Sequence, residues 1–485
     1  MSTPLHALTG TQVAKLLKSN IITVEQYAAA LWDRIQERDS TVKAWAYLDP
    51  EFVFRQARAL DQTPQERRQP LHGVAIGIKD VINTQDMPTQ FGSPIYQGHQ
   101  SGFDSSAVGI LRAAGALIFG KTTTTEFTVA NSGPGTTNPH DPNRTPGGSS
   151  CGSAAAVADF QVPLSLGAQT AGSVIRPASF TGIFAMKPTH NLISTEGSKS
   201  FSPMFDTLGF FARSLEDLQL VADVFALEDD EPPTSVLLRA TSVALVKTPM
   251  WSWAGPGTVA AMEKAARILR DSGVDVHEVS LPQELGDLQT LKRMQKVIMS
   301  GEARAAFLRE YMVDNAQLGP EIAALVENSA KYSRKQMAES LDRYAAIRPI
   351  ADKFVGGYAA IITPSAVDEA PLGLDNMGSA AFNTLWTGLH MPVINIPAFV
   401  GQHGMPVGIS LVAGRYQDRQ LLRVATVLSK PLMVQGAWNF GEALAQHEAP
   451  RPEAPCAREG SEPVCRLLRS SVAHPPAHND LAPRS

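Results

Sequence analysis

The chain reads as an α/β protein, and three stretches carry that reading. Residues 243–247 (VALVK), 256–273 (PGTVAAMEKAARILRDSG) and 274–282 (VDVHEVSLP) run strand, amphipathic helix, strand, a βαβ unit that calls for a parallel sheet. Upstream, the β-rich LHGVAIGIKDVI (71–82), the helical SSAVGILRAAG (105–115) and the strand ALIFGKT (116–122) repeat the alternation. Downstream, AAIITPSA (359–366), VINIPAF (393–399) and PVGISLVAG (406–414) return three further apolar strands.

The elements follow in order. Residues 9–38 read as two helices, the second entered through Thr23-Val24-Glu25-Gln26, which has the form of a capping box. The Gly, Pro, Asn, Ser and Thr of 132–150 predict a loop that opens onto an alanine-rich helix near Ser153. VPLSLGAQ (162–169) predicts a short buried strand. The acidic, proline-containing EDDEPPTS (228–235) is a candidate boundary, 289–355 is predicted helical throughout, and Asp418–Leu428 is predicted as the final helix. From about Pro450, prolines and charges without periodicity predict a disordered tail, 449–485, outside a domain spanning 1–448. No internal repeat of fixed period is visible.

Composition narrows the function classes. A 485-residue chain that is 44% hydrophobic and 18% charged suits a globular enzyme of one large domain or two ordinary ones. Its net charge of −5, with no basic block, argues against gripping DNA or RNA. Three scattered cysteines give no disulfide framework, and neither CxxC nor HExxH occurs, so no metal and no cofactor are expected. There is no signal-peptide pattern and no membrane-length apolar run, which points to a reducing cytoplasm and no membrane partner.

Two glycine-flanked serines stand out twenty-four positions apart, Ser149 in TPGGSSCGSAAA and Ser173 in LGAQTAGSVIRPASF. Lys79 ends the apolar run LHGVAIGIK, and no histidine lies inside either serine motif. This combination points to a serine nucleophile with a lysine base, and to acyl transfer. A lysine of ordinary pKa, about 10.4, would carry a handicap of about 4.6 kcal/mol as a base at neutral pH. Burial against Val74, Ala75, Ile76 and Ile78 would lower it. Alone, Lys79 reads as a strand-end lysine in water; the two serine motifs change that reading. The small residues Thr170, Ala171 and Gly172 before Ser173 let backbone N–H groups converge on an oxyanion, although alone they fit an ordinary tight turn before a helix.

Two short patterns mislead. Gly115–Thr122 fits GxxxxGK[ST], but Ala-Leu-Ile-Phe between its glycines is itself strand-like, whereas a phosphate cradle needs a flexible loop there. Gly148-Ser149-Ser150-Cys151-Gly152 fits GxSxG, yet a loop rather than a strand precedes it. His190, His277, His390 and His403 keep a Ser-His-Asp hydrolase in the inventory, without a catalytic context for any of them.

Over residues 10–430 the chain resembles the amidase signature hydrolases, most densely in GIKD around Lys79, PGGSSCGSAAAV, and LGAQTAGSVIRPASF with MKPT. The resemblance implies a single α/β/α domain on a large mixed sheet, the 289–355 helices forming a lid or cap. It implies a Ser-Ser-Lys triad: Ser173 as nucleophile, Ser149 after a cis peptide as bridge, Lys79 as base, with the amides of Thr170, Ala171, Gly172 and Ser173 as the oxyanion loop. Family members commonly carry Asp and Gly-Gly before the nucleophile, where this chain has Gln169 and Ala171-Gly172. Gln169 and the SVIRP run look most like the malonamidase-type branch, whose substrates are small amides bearing a carboxylate. Arg176 fits either a carboxylate-binding role or a structural one.

The leading expectation is therefore a cofactor-independent amidase acting on a small carboxamide, with a homodimer compatible with it. The alternatives are the glutaminase (A-type) subunit of a tRNA-dependent amidotransferase, a serine hydrolase preferring esters or aryl amides, and a non-catalytic binding protein on the same scaffold.

Overall fold

Apolar segments of three to eight residues, too short for helices, pair into one sheet. The computed structural model describes residues 3–448. Its strands are β1 (Trp45–Tyr47), β2 (Ala75–Lys79), β3 (Leu117–Thr122), β4 (Leu164–Gln169), β5 (Phe184–Lys187), β6 (Thr207–Ala212), β7 (Ser242–Val246), β8 (Asp275–Val279), β9 (Ala360–Pro364), β10 (Val393–Val400) and β11 (Pro406–Val412). They lie in the order β1-β3-β2-β4-β6-β5-β10-β11-β9-β7-β8. The groups β3-β2-β4 and β8-β7-β9 are parallel, and the pairs joining them through β6, β5, β10 and β11 are antiparallel.

The parallel pairs arise where the sequence places a helix between two strands. Ser106–Ala113 links β2 to β3, Cys151–Ala158 links β3 to β4, and Pro256–Asp271 links β7 to β8. The predicted βαβ unit is thus present in register, with Val243 opposite Val276. Alternation along the strands divides their side chains between two faces. Ile76, Ile78, Leu164, Leu166, Phe210, Ile362, Ile394 and Ile409 enter one buried cluster. Ala75, Phe211, Ile361, Val393 and Val412 enter the other. Fifteen α-helices among the described residues cover the two faces, giving a single α/β domain on a large mixed sheet.

Several local expectations are met. Thr23 and Gln26 form the capping box, and the helix runs Val24–Val42. The GxxxxGK stretch is β3, its Lys121 buried against Asp80 at 3.3 Å and Thr89 at 2.6 Å, so it is sheet and not a phosphate loop.

Others need correction. The 289–355 region is not one continuous helical run; it breaks into Leu288–Ala306, Leu308–Asp314, Pro320–Val326 and Arg334–Val355, restarted by Pro320 and by a Ser333 capping box. The final helix does not stop at Leu428. It continues through Pro431 to Gly436, anchored by buried Leu428 and Leu432, and Phe440–Glu448 follows. The acidic 228–235 stretch divides nothing, because the sheet continues across it. Asp229 there accepts the backbone N–H groups of Arg419 and Gln420, both at 2.8 Å, and so caps the helix Asp418–Gly436. The tail expected from 449 onward lies outside the described residues.

Candidate active site

Lys79 is the last residue of β2, and β4 ends at Gln169, so both deliver their following segments to the carboxyl edge of the parallel β3-β2-β4 group. That edge is where open α/β sheets place ligands. The Lys79 side chain is fully buried, and its Nζ donates to Ser149 Oγ at 2.8 Å and to the Ala168 carbonyl at 3.2 Å. Burial pulls its pKa down to about 7; Arg176 adds to the shift, while Cys151 and Asp206 oppose it.

Ser149 follows a cis Gly148–Ser149 peptide and is itself fully buried. Ser150, next in the chain, donates to the Ala168 carbonyl at 3.2 Å. The helix Cys151–Ala158 then begins, its small residues all buried, and Gly152 lies where an added Cβ would come within 2.1 Å of the Ala44 carbonyl. Cys151 is a free thiol 3.5 Å from the carbonyls of Thr123 and Ser149, and burial raises its pKa.

Ser173 sits in the neighbouring loop, two residues ahead of the helix Ile175–Thr181, and is 7% exposed. Among the described residues no hydrogen bond holds its hydroxyl. None uses the N–H groups of Thr170, Ala171, Gly172 or Ser173 either. Consecutive backbone donors without protein acceptors are uncommon in a protein interior and leave this loop open to an outside acceptor.

The loop is held from its other side. Thr170 Oγ1 donates to Asp206 at 2.6 Å, Arg176 N–H donates to the Gly172 carbonyl at 3.0 Å, and Thr387 Oγ1 donates to the Ala171 carbonyl at 2.8 Å. Gln169 Oε1 accepts from Val174 N–H at 2.8 Å and Ile175 N–H at 3.0 Å. Gly172 lies so close to the helix Ala381–Gly388 that a Cβ would sit 2.5 Å from Asn383 Oδ1.

The structure therefore brings Lys79 and Ser149 into direct contact. It seats Ser173 on the adjoining loop that Ala168 and Gln169 lead into. Arg176 is buried, with one guanidinium nitrogen donating to the Gly378 carbonyl and another to the Gly148 carbonyl; only Nε lacks a partner. The four histidines of the inventory face other groups. His190 and His390 meet the carbonyls of Pro203 and Met204, His277 meets Asp275, and His403 meets Glu369. Asp206 and Thr387 carry no signal in the sequence, since neither stands in a glycine-rich motif or near the serines in the chain.

A family model described as Amidase matches residues 26–422. The A subunit of the glutamyl-tRNA(Gln) amidotransferase of Chloroflexus aurantiacus is 31% identical over 475 residues, covering 87% of this chain and 96% of that protein. A crystal structure of an amidase superposes with TM-score 0.78 at 26% identity, covering 87% of this chain and 99% of that one. The corresponding A subunit from Thermotoga maritima shares the fold, with TM-score 0.73, 23% identity, and coverage of 90% and 97%. Among the described residues no helix is long and apolar enough to cross a membrane. The match over most of the chain, on a sheet of the same architecture, makes this protein a member of the Amidase family, hydrolases of amide C–N bonds.

Proposed function

We propose that this chain hydrolyses a primary carboxamide through an acyl-enzyme on Ser173, with Ser149 and Lys79 relaying the proton. The observation that carries the reading is the run of four unpaired N–H groups ending at Ser173, beside a buried lysine already bonded to Ser149. Neutral Lys79 takes the Ser149 proton as Ser149 takes that of Ser173. Ser173 Oγ bonds to the amide carbon, and the carbonyl oxygen gains negative charge against the loop N–H groups, each worth roughly 3–4 kcal/mol in such a setting. The C–N bond then breaks, the relay returns the proton to the departing nitrogen, and ammonia leaves. Water, activated by the same relay, releases the acid. Arg176 is better read as positioning than as substrate-binding: its two engaged nitrogens tie the Gly148 carbonyl to the loop at Gly378. The helices between Leu288 and Val355 serve in this reading as a cap. Glu302 in the first of them accepts from Ser202, and the adjoining Asp206 holds Thr170.

For the substrate, the A-type glutaminase subunit of a tRNA-dependent amidotransferase is the better-supported choice. The relatives from Chloroflexus aurantiacus and Symbiobacterium thermophilum carry that name and align over 96% and 98% of their length. Glutamine would be the amide, and companion subunits would receive the ammonia. The expectation of no nucleic-acid contact is relaxed accordingly: a tRNA would meet the assembly, with a chain of net charge −5 contributing little of the grip. A second reading, a free amidase of the malonamidase type acting on a small carboxamide, is favoured by Gln169 and Ala171, where the family commonly has Asp and Gly. Ammonia release measured on glutamine and on malonamate, with and without added amidotransferase companion subunits, separates the two. Glutamine hydrolysis that depends on the companions supports the first, and malonamate hydrolysis by the chain alone supports the second. Ser173→Ala should abolish both; persistent turnover would refute the nucleophile assignment.

A further inference from the structure

The side chain of Gln169 joins the loop to the helix Ala381–Gly388 through hydrogen bonds whose directions are fixed by the protons available. Gln169 Oε1 faces two backbone N–H donors, those of Val174 and Ile175, so the side-chain amide can be oriented only one way. Its Nε2 must then point at Thr387 Oγ1, 2.9 Å away, and donate to it. With a lone pair of Thr387 occupied, the single hydroxyl proton is left for the carbonyls of Ala171 at 2.8 Å and Asn383 at 3.0 Å. A trans peptide carries its C=O and N–H in opposite directions. Holding the Ala171 carbonyl against the helix Ala381–Gly388 therefore turns the Gly172 N–H the other way. The Arg176 N–H fixes the Gly172 carbonyl, and with it the Ser173 N–H, by the same argument.

We infer that Gln169 and Thr387 are positioning residues that aim the Gly172 N–H at the reacting oxygen, and that the amide nitrogen of Gln169 is the element a carboxylate could not replace. A carboxylate at 169 would still accept the two helix N–H groups. It has no proton for Thr387, so the hydroxyl would rotate to donate to it and release the Ala171 carbonyl. Gln169 in this chain is thus matched to Thr387, a partner 218 positions away. The inference rests on Ser173 being the nucleophile and on the loop binding the oxyanion.

The test uses the full-length chain and a fluorophosphonate probe, in which a Ser173 Oγ–P bond forms, the P–F bond breaks and fluoride departs while the relay takes the proton. Thr387→Val should lower the limiting labelling rate ~10- to 100-fold, in the range of a mis-aimed oxyanion donor, while half-saturation stays within about twofold. Thr387→Ser should restore the rate. Gln169→Glu should lower it comparably, and should add little on top of Thr387→Val. Thermal melting of each variant identifies a folding loss. A Thr387→Val rate within about twofold of the parent overturns the inference, as does failure of Thr387→Ser to rescue, which would make Thr387 a packing residue. Ser173→Ala, run alongside, should not label. Labelling that persists there brings down the site reading itself, whereas an inert Ser173→Ala with an unaffected Thr387→Val brings down only the aiming device.

Discussion

At the scale of single residues, the proposed relay makes the protonation of Lys79 decisive. With its pKa lowered to about 7 by burial, the amine is protonated below that value and neutral above it. kcat/KM should therefore fall about tenfold per pH unit below 7 and level off above it, a limb that a pH–rate profile resolves. Lys79→Met should remove activity together with that limb. The loop offers a second residue-scale contrast. Gly172→Ala drives a methyl to 2.5 Å from Asn383 Oδ1 and 2.9 Å from Ala380 Cβ, so it should displace the loop and cost about 100-fold or more in kcat. Ala171→Gly, at a partly exposed position, should keep turnover within a few-fold of the parent. Lys79, Ser149 and Ser173 were legible because glycine-flanked serines with a strand-end lysine form a local pattern. Gln169 and Arg176 were visible as residues, but their partners Thr387 and Gly378 lie 218 and 202 positions downstream, and no local pattern encodes such contacts.

At the scale of elements, caps and close approaches make the sharpest predictions. Thr23→Ala removes the acceptor for the Gln26 N–H and should lower stability by about 1 kcal/mol, read as a shifted urea midpoint. Gly152→Ala is far more severe. Its methyl would meet backbone atoms, the Ala44 carbonyl at 2.1 Å and Thr123 N at 2.4 Å, which cannot swing aside as a side chain can. Overpacking there should cost about 3 kcal/mol or more, measurable by the same midpoint. Of the strands with a helix on either side in sequence, β2, β3, β4, β7, β8 and β9 were legible, since a change of period marks each boundary, but three-residue β1 was not. β6 and β5 were not legible either. TLGFFA is a continuous buried run that does not alternate, and FAMK is only four residues long. The continuation past Leu428 was hidden by Pro431, whose cost to the helix is offset by the buried face around it.

For the whole molecule, the mixed sheet joins the segments that a boundary at 228–235 would separate. β9 carries β7 and β8 on one side and β11 on the other, so the parallel group at that end of the sheet has no independent edge along which to part. A protease nick engineered into 228–235 should leave two fragments that co-migrate on gel filtration and melt together; separation into two folded pieces would contradict the continuous sheet. The α/β class was legible from helix–strand alternation, whereas the large mixed sheet was implied by the family resemblance alone, because strand direction depends on long connections that carry no periodic signal. One buried atom finally supplies a clock. Cys151 keeps its sulfur shielded and poorly ionised at the first residue of the helix that follows Ser149, so alkylation must wait until that segment opens. The rate at which iodoacetamide modifies Cys151, followed by peptide mapping, becomes a direct readout of how often the segment behind Ser149 comes apart, with no substrate required.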